Sequence, residues 1–142
     1  MDTTTATSPV DQDFDCPVEM IRALRATIHD TNQQILSLNA KLASHNDAVF
    51  AMHPRQSHLV TAAKDLQDKI CNGEDLVDDW LSAVDELLAH TAQLRSQEIE
   101  VESILKLIAS LDQQLDAHKA KLHCKLTEYA QELSFKHFAN LD

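Results

Sequence analysis

The sequence predicts an all-α protein made of long amphipathic helices, which form an antiparallel helical hairpin or bundle that extends into a coiled coil. Hydrophobic residues make up 44% of the chain, which is enough to build a core. The 142 residues include one Gly and three Pro, so the chain can turn only a few times. Large apolar side chains recur with a seven-residue period, which is typical of packed helices.

The first helix is predicted to begin at a capping signal that comes after an acidic tail. Residues 1–16 carry four acids and no base, and we expect them to be disordered. Cys16 suits the N-cap position and Pro17 the first helical position. Glu19 places a carboxylate in the first turn, at the positive end of the helix dipole. Residues 17–142 are then predicted to form one helical unit.

A heptad pattern predicts that this helix covers residues 17–52. Its a series is Ile21, Ile28, Ile35, Leu42 and Val49, and its d series is Leu24, Thr31, Leu38, His45 and Met52. The pattern favours parallel two-stranded coils but also fits an antiparallel hairpin, so it leaves the orientation open. Pro54 disfavours helical geometry at His53. A turn is therefore predicted at His53–Gln56.

A longer apolar stripe predicts helices over residues 56–71 and 74–139. Gly73 is the one interruption of its d series, which consists of Leu59, Leu66, Gly73, Trp80, Leu87, Leu94, Val101, Ile108, Leu115, Leu122 and Tyr129. Gly after Asn can end a helix in the left-handed conformation, so we predict a break or kink there. The heptad phase passes through unshifted, and a continuous helix that tolerates this Gly, at about 1 kcal/mol, is the alternative.

The apolar stripe widens in two places, which indicates more than one facing helix. Apolar residues also fill positions g and e from Leu76 to Leu88, and the second row moves from a to g between Val101 and Leu115. If the chain turns at Pro54, the first helix is ~54 Å long and covers less than half of the helical chain beyond the turn. We therefore predict that the rest of the stripe binds another chain. Its residues are Val101, Ile104, Leu105, Ile108, Leu111, Leu115, Leu122, Leu126, Tyr129 and Leu133.

Charged residues interrupt position a of this stripe at Glu98, Asp112 and Lys119. Polar residues at position a cost stability but specify register and partner. The predicted partners are therefore other helical protein chains, with a hetero-oligomer favoured and a homo-oligomer possible. Trp80, the single tryptophan, is interpreted as a core residue, and the alternative interpretation is an interface anchor.

The net charge of −11 is unevenly distributed, since residues 74–102 hold nine acids and one base. A chain this acidic lacks the basic surface that binds nucleic acid or an anionic membrane, so neither is a predicted partner. The acids are interpreted as a solvated helix face, and the functional alternative is an acidic strip that docks a basic partner. No apolar run approaches the ~18 residues of a membrane span, so direct membrane insertion is not predicted.

Neither a cofactor nor a metal site is predicted. His118 and His123 are five residues apart, so a helix places them on different faces, although Cys124 is adjacent. With one Gly there is no phosphate-binding loop and no nucleophile elbow, so the chain is not predicted to be an enzyme. Three widely spaced cysteines and the lack of a signal-peptide pattern predict an intracellular protein of the cytoplasm or nucleus.

Two functions fit these expectations. The first is a non-enzymatic helical subunit of a multiprotein scaffold or adaptor complex, which associates through heptad-repeat packing. The alternative is a self-contained four-helix bundle that binds a peptide or protein at the acidic strip. The alternative requires a bend near residues 96–98, where the sequence has neither Gly nor Pro.

Overall fold

A computed structural model describes residues 16–139, with the side chains of residues 138 and 139 left out. Two long helices, α1 (Pro17–Cys71) and α2 (Val77–Ala139), account for almost all of this part of the chain. The predicted all-helical fold class is confirmed. The predicted disordered tail, apart from Cys16, lies outside the described residues.

The predicted start of α1 is confirmed. The carbonyl of Cys16 accepts hydrogen bonds from the backbone N–H groups of Glu19, at 3.1 Å, and Met20, at 3.3 Å. Pro17 is the first helical residue, where its missing N–H removes no intrahelical bond. Glu19 lies in the first turn and meets the positive end of the dipole.

The predicted turn at His53–Gln56 is wrong, because α1 continues through Pro54. Proline lacks an N–H, so the carbonyl of Phe50 has no donor four residues later. Both residues lie on the exposed side of the helix, where water can bond to that carbonyl. The d series meanwhile continues in phase from Met52 to Leu59, so the apolar side of α1 is unbroken. The helices predicted on either side of Pro54 are therefore one helix.

The chain leaves α1 at Gly73, where the sequence predicts a break. Gly73 has a φ of 99°, in the region that favours glycine. Its N–H donates to the carbonyl of Ile70, and the N–H of Glu74 donates to the carbonyl of Lys69, both at 3.0 Å. This pair of bonds is the Schellman motif, which satisfies the last carbonyls of a helix and ends it.

Helix α2 begins three residues later than the predicted start at residue 74. The carbonyl of Leu76 accepts the hydrogen bond of the Trp80 N–H at 2.9 Å, so Leu76 occupies the N-cap position. Asp78 and Asp79 lie in the first turn, where their charges are favourable to the dipole. From Val77 the helix continues to Ala139 without interruption, so the bend that a four-helix bundle needs near residues 96–98 is absent.

Contacts divide the chain into two units, each containing a segment of both helices. The hairpin unit, Leu38–Leu107, includes the connection between α1 and α2. In this unit the helices are antiparallel, because Gln56 contacts His90 while His45, earlier in α1, contacts Gln97, later in α2. The buried side chains of this unit include Leu59, Ala63, His90, Leu94 and Ile104.

The terminal unit consists of Met1–Ser37 and Ile108–Asp142, described from residue 16 and as far as residue 139. Its buried side chains include Leu24, which is fully enclosed, Leu111 and Leu115. Thr31 is also buried, and its hydroxyl donates to the carbonyl of Thr27 at 2.9 Å. A helix-internal bond of this kind lets a small polar residue occupy a core position without an unsatisfied group.

The second inward row of α2 follows position g over a longer range than the predicted move from a to g between Val101 and Leu115. Both rows of α1 and the d row of α2 from Trp80 to Tyr129 are buried or half-buried, as predicted. The predicted a row of α2, which contains Leu105, is exposed from Thr91 onwards. Its place is taken by the g row, one residue earlier, which consists of His90, Gln97, Ile104, Leu111, His118 and Lys125.

Candidate functional site

The ten residues predicted to bind a partner do not share one environment. Ile104, Leu111 and Leu115 are buried. Val101, Ile108, Leu122 and Tyr129 are half-buried. Leu105, Leu126 and Leu133 are exposed, at 47–49% of their surface.

The expectation that α1 cannot reach this stripe is therefore wrong for its buried members. A turn at Pro54 would have limited the first helix to residues 17–52, whereas α1 continues to Cys71 and has 55 residues. In the terminal unit, Tyr129 of α2 shares a groove with Pro17 and Met20 of α1. The inward residues of the stripe thus have a partner within the chain, and its exposed residues remain candidates for an external one.

The finding that row g of α2 faces α1 also explains where the charged residues of the predicted a row lie. Glu98, Asp112 and Lys119 are exposed, because that row faces away from the packed helices. A charge on a solvated face needs no partner, so these residues no longer favour a hetero-oligomer. Hetero-association stays a prediction that depends on the exposed apolar side chains.

Polar side chains occupy several inward positions in the hairpin unit and form hydrogen bonds between α1 and α2. His90 Nδ1 donates to Gln56 Oε1 at 2.6 Å, and Gln56 Nε2 donates to the hydroxyl of Thr91 at 2.8 Å. His45 Nδ1 likewise donates to Gln97 Oε1 at 2.6 Å. The two histidine bonds are part-buried and satisfy polar groups at the helix contact, and such bonds favour one register of the two helices.

Among the described residues, several large apolar side chains lie outside the packed rows. Those at least 45% exposed are Leu36, Phe50, Val77, Leu81, Leu88, Ile99, Leu105, Leu107, Leu126, Leu133 and Phe135. Single exposed apolar residues are normal on a soluble surface, whereas a contiguous group marks an interaction site. Grouping therefore decides which of them form a candidate site.

One such group lies on α2 next to the connection with α1. Val77, Leu81 and Leu88 are 45%, 48% and 61% exposed, and Val84 between them is half-buried. Their spacing of four, three and four residues places all four side chains on one helix face. We call these four residues the hairpin-end row. The sequence indicates this row by the widening between Leu76 and Leu88, but it cannot tell which of the apolar rows there is covered by α1.

The hairpin-end row adjoins a groove between the helices. This groove is lined by Gln67, Ile70 and Cys71 of α1 and by Val77 and Trp80 of α2. Val77 belongs to both, so the exposed row and the groove form one apolar surface. Trp80 is half-buried at its edge, which agrees with a core residue whose outer part is accessible.

The apolar surface lies in an acidic part of the chain. Residues 60–89 contain eight carboxylates and two lysines, and all ten side chains are exposed. The net charge of this segment is −6, whereas the rest of the hairpin unit has as many bases as acids. Arg55 forms an ion pair with Glu86 at 3.8 Å, and both side chains are more than 60% exposed, so the pair contributes little to stability.

Metal-binding and membrane-spanning features are absent from residues 16–139. This range contains no group of three or more His, Cys, Asp or Glu side chains that could hold a metal ion. Cys16, Cys71 and Cys124 are exposed, unpaired thiols. In neither of the described helices does an apolar stretch suffice to cross a membrane.

Comparisons with known proteins give no significant match to any family model, curated protein or solved structure. The surface of this chain is therefore the basis for its proposed function.

Proposed function

We propose that this chain is a non-enzymatic helical subunit of a multiprotein scaffold or adaptor complex, and that it associates with other helical chains by coiled-coil packing. The observation that carries the proposal is the set of large apolar side chains that stay exposed although α1 and α2 already cover each other's inward rows. Helices with apolar residues on a second face need a further facing helix to bury them.

The energetic argument concerns the two exposed leucines of the predicted partner-binding stripe that lie in the terminal unit. Leu126 and Leu133 are seven residues apart, so they keep one heptad phase on α2. Fully burying a leucine contributes roughly 1.5–3 kcal/mol, and about half of each side chain is still available for burial. A partner helix that packs along this phase gains that free energy.

A self-contained four-helix bundle is not supported, because α2 is one continuous helix through residues 96–98, where that fold requires a bend. The acidic docking strip of that alternative is nevertheless compatible with a hairpin. The exposed thiols support a reducing compartment, so we place the protein in the cytoplasm or nucleus.

Native affinity purification followed by mass spectrometry tests the proposal. The wild-type chain is expected to recover helical partner chains in fixed stoichiometry, and Leu126→Gln/Leu133→Gln is expected to lose them while its circular dichroism is unchanged. Leu111→Ala/Leu115→Ala is the matched core control. It removes two buried leucines and is expected to destabilise the fold by roughly 2–5 kcal/mol per site.

A different outcome would contradict the proposal. If the wild-type chain recovers no partner and light scattering shows a compact, stable monomer, then the exposed apolar residues have no binding role.

A further inference from the structure

We propose that the hairpin end, which we define as residues 60–89, binds a basic amphipathic helix of another protein. This helix places its apolar side on the hairpin-end row and its lysines or arginines against the neighbouring carboxylates. This inference rests on the proposed function and specifies one partner surface for it. It depends on the geometry of α2 near its start and on the distribution of charge.

The apolar part of the surface has the dimensions of a helix-binding face. At ~100° per residue, Val77, Leu81 and Leu88 fall within an arc of about 40°. They extend over twelve residues, or about 16 Å along α2, which equals three turns of a partner helix. Helix-in-groove recognition uses apolar anchors at similar spacing, i, i+4 and i+7.

The two borders of the row differ. Trp80 and Leu87 lie about 80–100° to one side, towards the rows that pack against α1. Asp78 and Asp85 lie at a similar angle on the other side, and both are exposed. A helix seated on the row is thus enclosed by apolar surface on one border and by carboxylates on the other.

Charge decides the occupant. The hairpin end carries a net charge of −6, and a second copy that docked on the same surface would bring an equal negative charge. The two charges would lie within the Debye length, about 8 Å at physiological salt, so the two copies would repel each other. An anionic membrane is repelled for the same reason. A helix with basic residues beside its apolar face is attracted, and its association is accelerated by the field.

The experiment uses the full chain and a synthetic probe helix of three heptads, with leucine at positions a and d and lysine elsewhere. A second peptide replaces every lysine by glutamate, and a third has the leucine–lysine composition in scrambled order. Binding to the full chain is measured by the fluorescence of Trp80, the single tryptophan, at the edge of the surface. Only the ordered lysine peptide is expected to bind.

Variants then locate the binding site. Leu81→Gln/Leu88→Gln is expected to weaken the lysine peptide by about tenfold or more, because two anchors lose their apolar contact. Asp78→Asn/Asp85→Asn is expected to weaken binding and to reduce its dependence on salt. The control Leu36→Gln alters a leucine of the terminal unit that is as exposed as Leu88 and lies outside the predicted partner-binding stripe, and its affinity is expected to be unchanged.

Three results would overturn the inference. One is equal affinity of the wild type and Leu81→Gln/Leu88→Gln for the lysine peptide, and another is equal binding of the glutamate peptide. The third is a wild-type dimer at physiological salt that Leu81→Gln/Leu88→Gln dissociates, since the occupant is then a second copy.

The purification experiment distinguishes a failure of this inference from a failure of the proposed function. If the inference alone is wrong, Leu81→Gln/Leu88→Gln keeps the co-purifying chains; if the proposed function is wrong, the wild type has none.

Discussion

Gly73 ends α1 because its backbone adopts the left-handed conformation, and not because neighbouring atoms leave no space for a side chain. Its φ is 99°, and a Cβ added at this position meets no atom within 4 Å. The cost of a side chain is therefore confined to the left-handed conformation, which is about 1–2 kcal/mol for an L-residue. We expect Gly73→Ala to lower the free energy of unfolding by that amount in urea denaturation of the full chain.

Gly73→Asn provides the control for this prediction. Asn adopts left-handed conformations more readily than Ala, so it is expected to lose less stability. An Ala variant as stable as the wild type would contradict the Schellman ending, because a helix that continued through residue 73 prefers Ala to Gly by about 1 kcal/mol.

His118 is the inward polar residue whose hydrogen bonding is incomplete. Its Nδ1 is buried and has no hydrogen-bond partner among the described residues. A buried polar atom without a partner costs roughly 1–3 kcal/mol, whereas an apolar side chain of similar size has no such cost. We expect His118→Leu to raise the free energy of unfolding by about 1 kcal/mol in urea denaturation.

The matched control is His90→Leu, which changes the same residue type in the same heptad row. His90 Nδ1 donates to Gln56 Oε1, so its removal leaves that acceptor without its donor. We expect His90→Leu to gain nothing or to lose stability. If both variants are stabilised equally, the hydrogen bonding of the two histidines does not differ in the way described.

At the scale of the element, the sequence contains the same signal at Pro54 and at Gly73. The heptad phase continues through both positions, yet α1 passes Pro54 and ends at Gly73. The proline costs one hydrogen bond and steric strain on an exposed face. Gly73, which follows Asn72, adopts the left-handed conformation itself, and this geometry satisfies two terminal carbonyls of α1. Phase continuity therefore does not distinguish the two positions, and the difference lies in the local backbone, where proline on an exposed face costs less than the predicted turn assumes.

Replacing Pro54 tests this balance. Pro54→Ala restores an N–H that can donate to the carbonyl of Phe50, and it removes the clash of the ring with the preceding turn. We expect the free energy of unfolding to rise by up to ~3 kcal/mol in urea denaturation, the cost of proline in a helix interior. The control Pro17→Ala, at the first helical position, is expected to change stability little. No gain from Pro54→Ala would indicate that α1 is interrupted there after all.

The rows of α2 show what the sequence could not determine. Its d row could be predicted because it is apolar from Trp80 to Tyr129, and in the structure every member is buried or half-buried. The second row was ambiguous because Leu105 of row a and Ile104 of row g are adjacent and equally apolar. Only the direction from which α1 approaches makes Ile104 buried and Leu105 exposed. The candidate site shares this ambiguity, since its residues are the apolar side chains that stay exposed when α1 packs against α2.

For the whole molecule, charge and apolar exposure are distributed differently between the two units. The described part of the terminal unit contains six acids and six bases, so its charges balance. In the hairpin unit, the net charge of −6 belongs entirely to residues 60–89, around the hairpin-end row. On our proposal, the terminal unit would therefore bind partners through apolar contact, and the hairpin end would select its partner by charge.

This concentration of like charge also predicts how the stability of the free protein depends on salt. Carboxylates of α1 and α2 repel one another at the hairpin end, and salt screens this repulsion as the Debye length falls from ~30 Å at 0.01 M to ~8 Å at 0.15 M. We expect the thermal midpoint to rise by about 3 °C over this range of NaCl, or roughly 1 kcal/mol for a chain of this size. If exposed ion pairs such as Arg55–Glu86 dominated, the midpoint would fall instead.

Two double variants locate the repulsion. Asp68→Asn/Asp85→Asn removes two exposed carboxylates of the hairpin end and should flatten the dependence of the thermal midpoint on salt. Asp112→Asn/Asp116→Asn, in the balanced terminal unit, should leave that dependence unchanged. Equal slopes for the two double variants would show that the repulsion is not localised at the hairpin end.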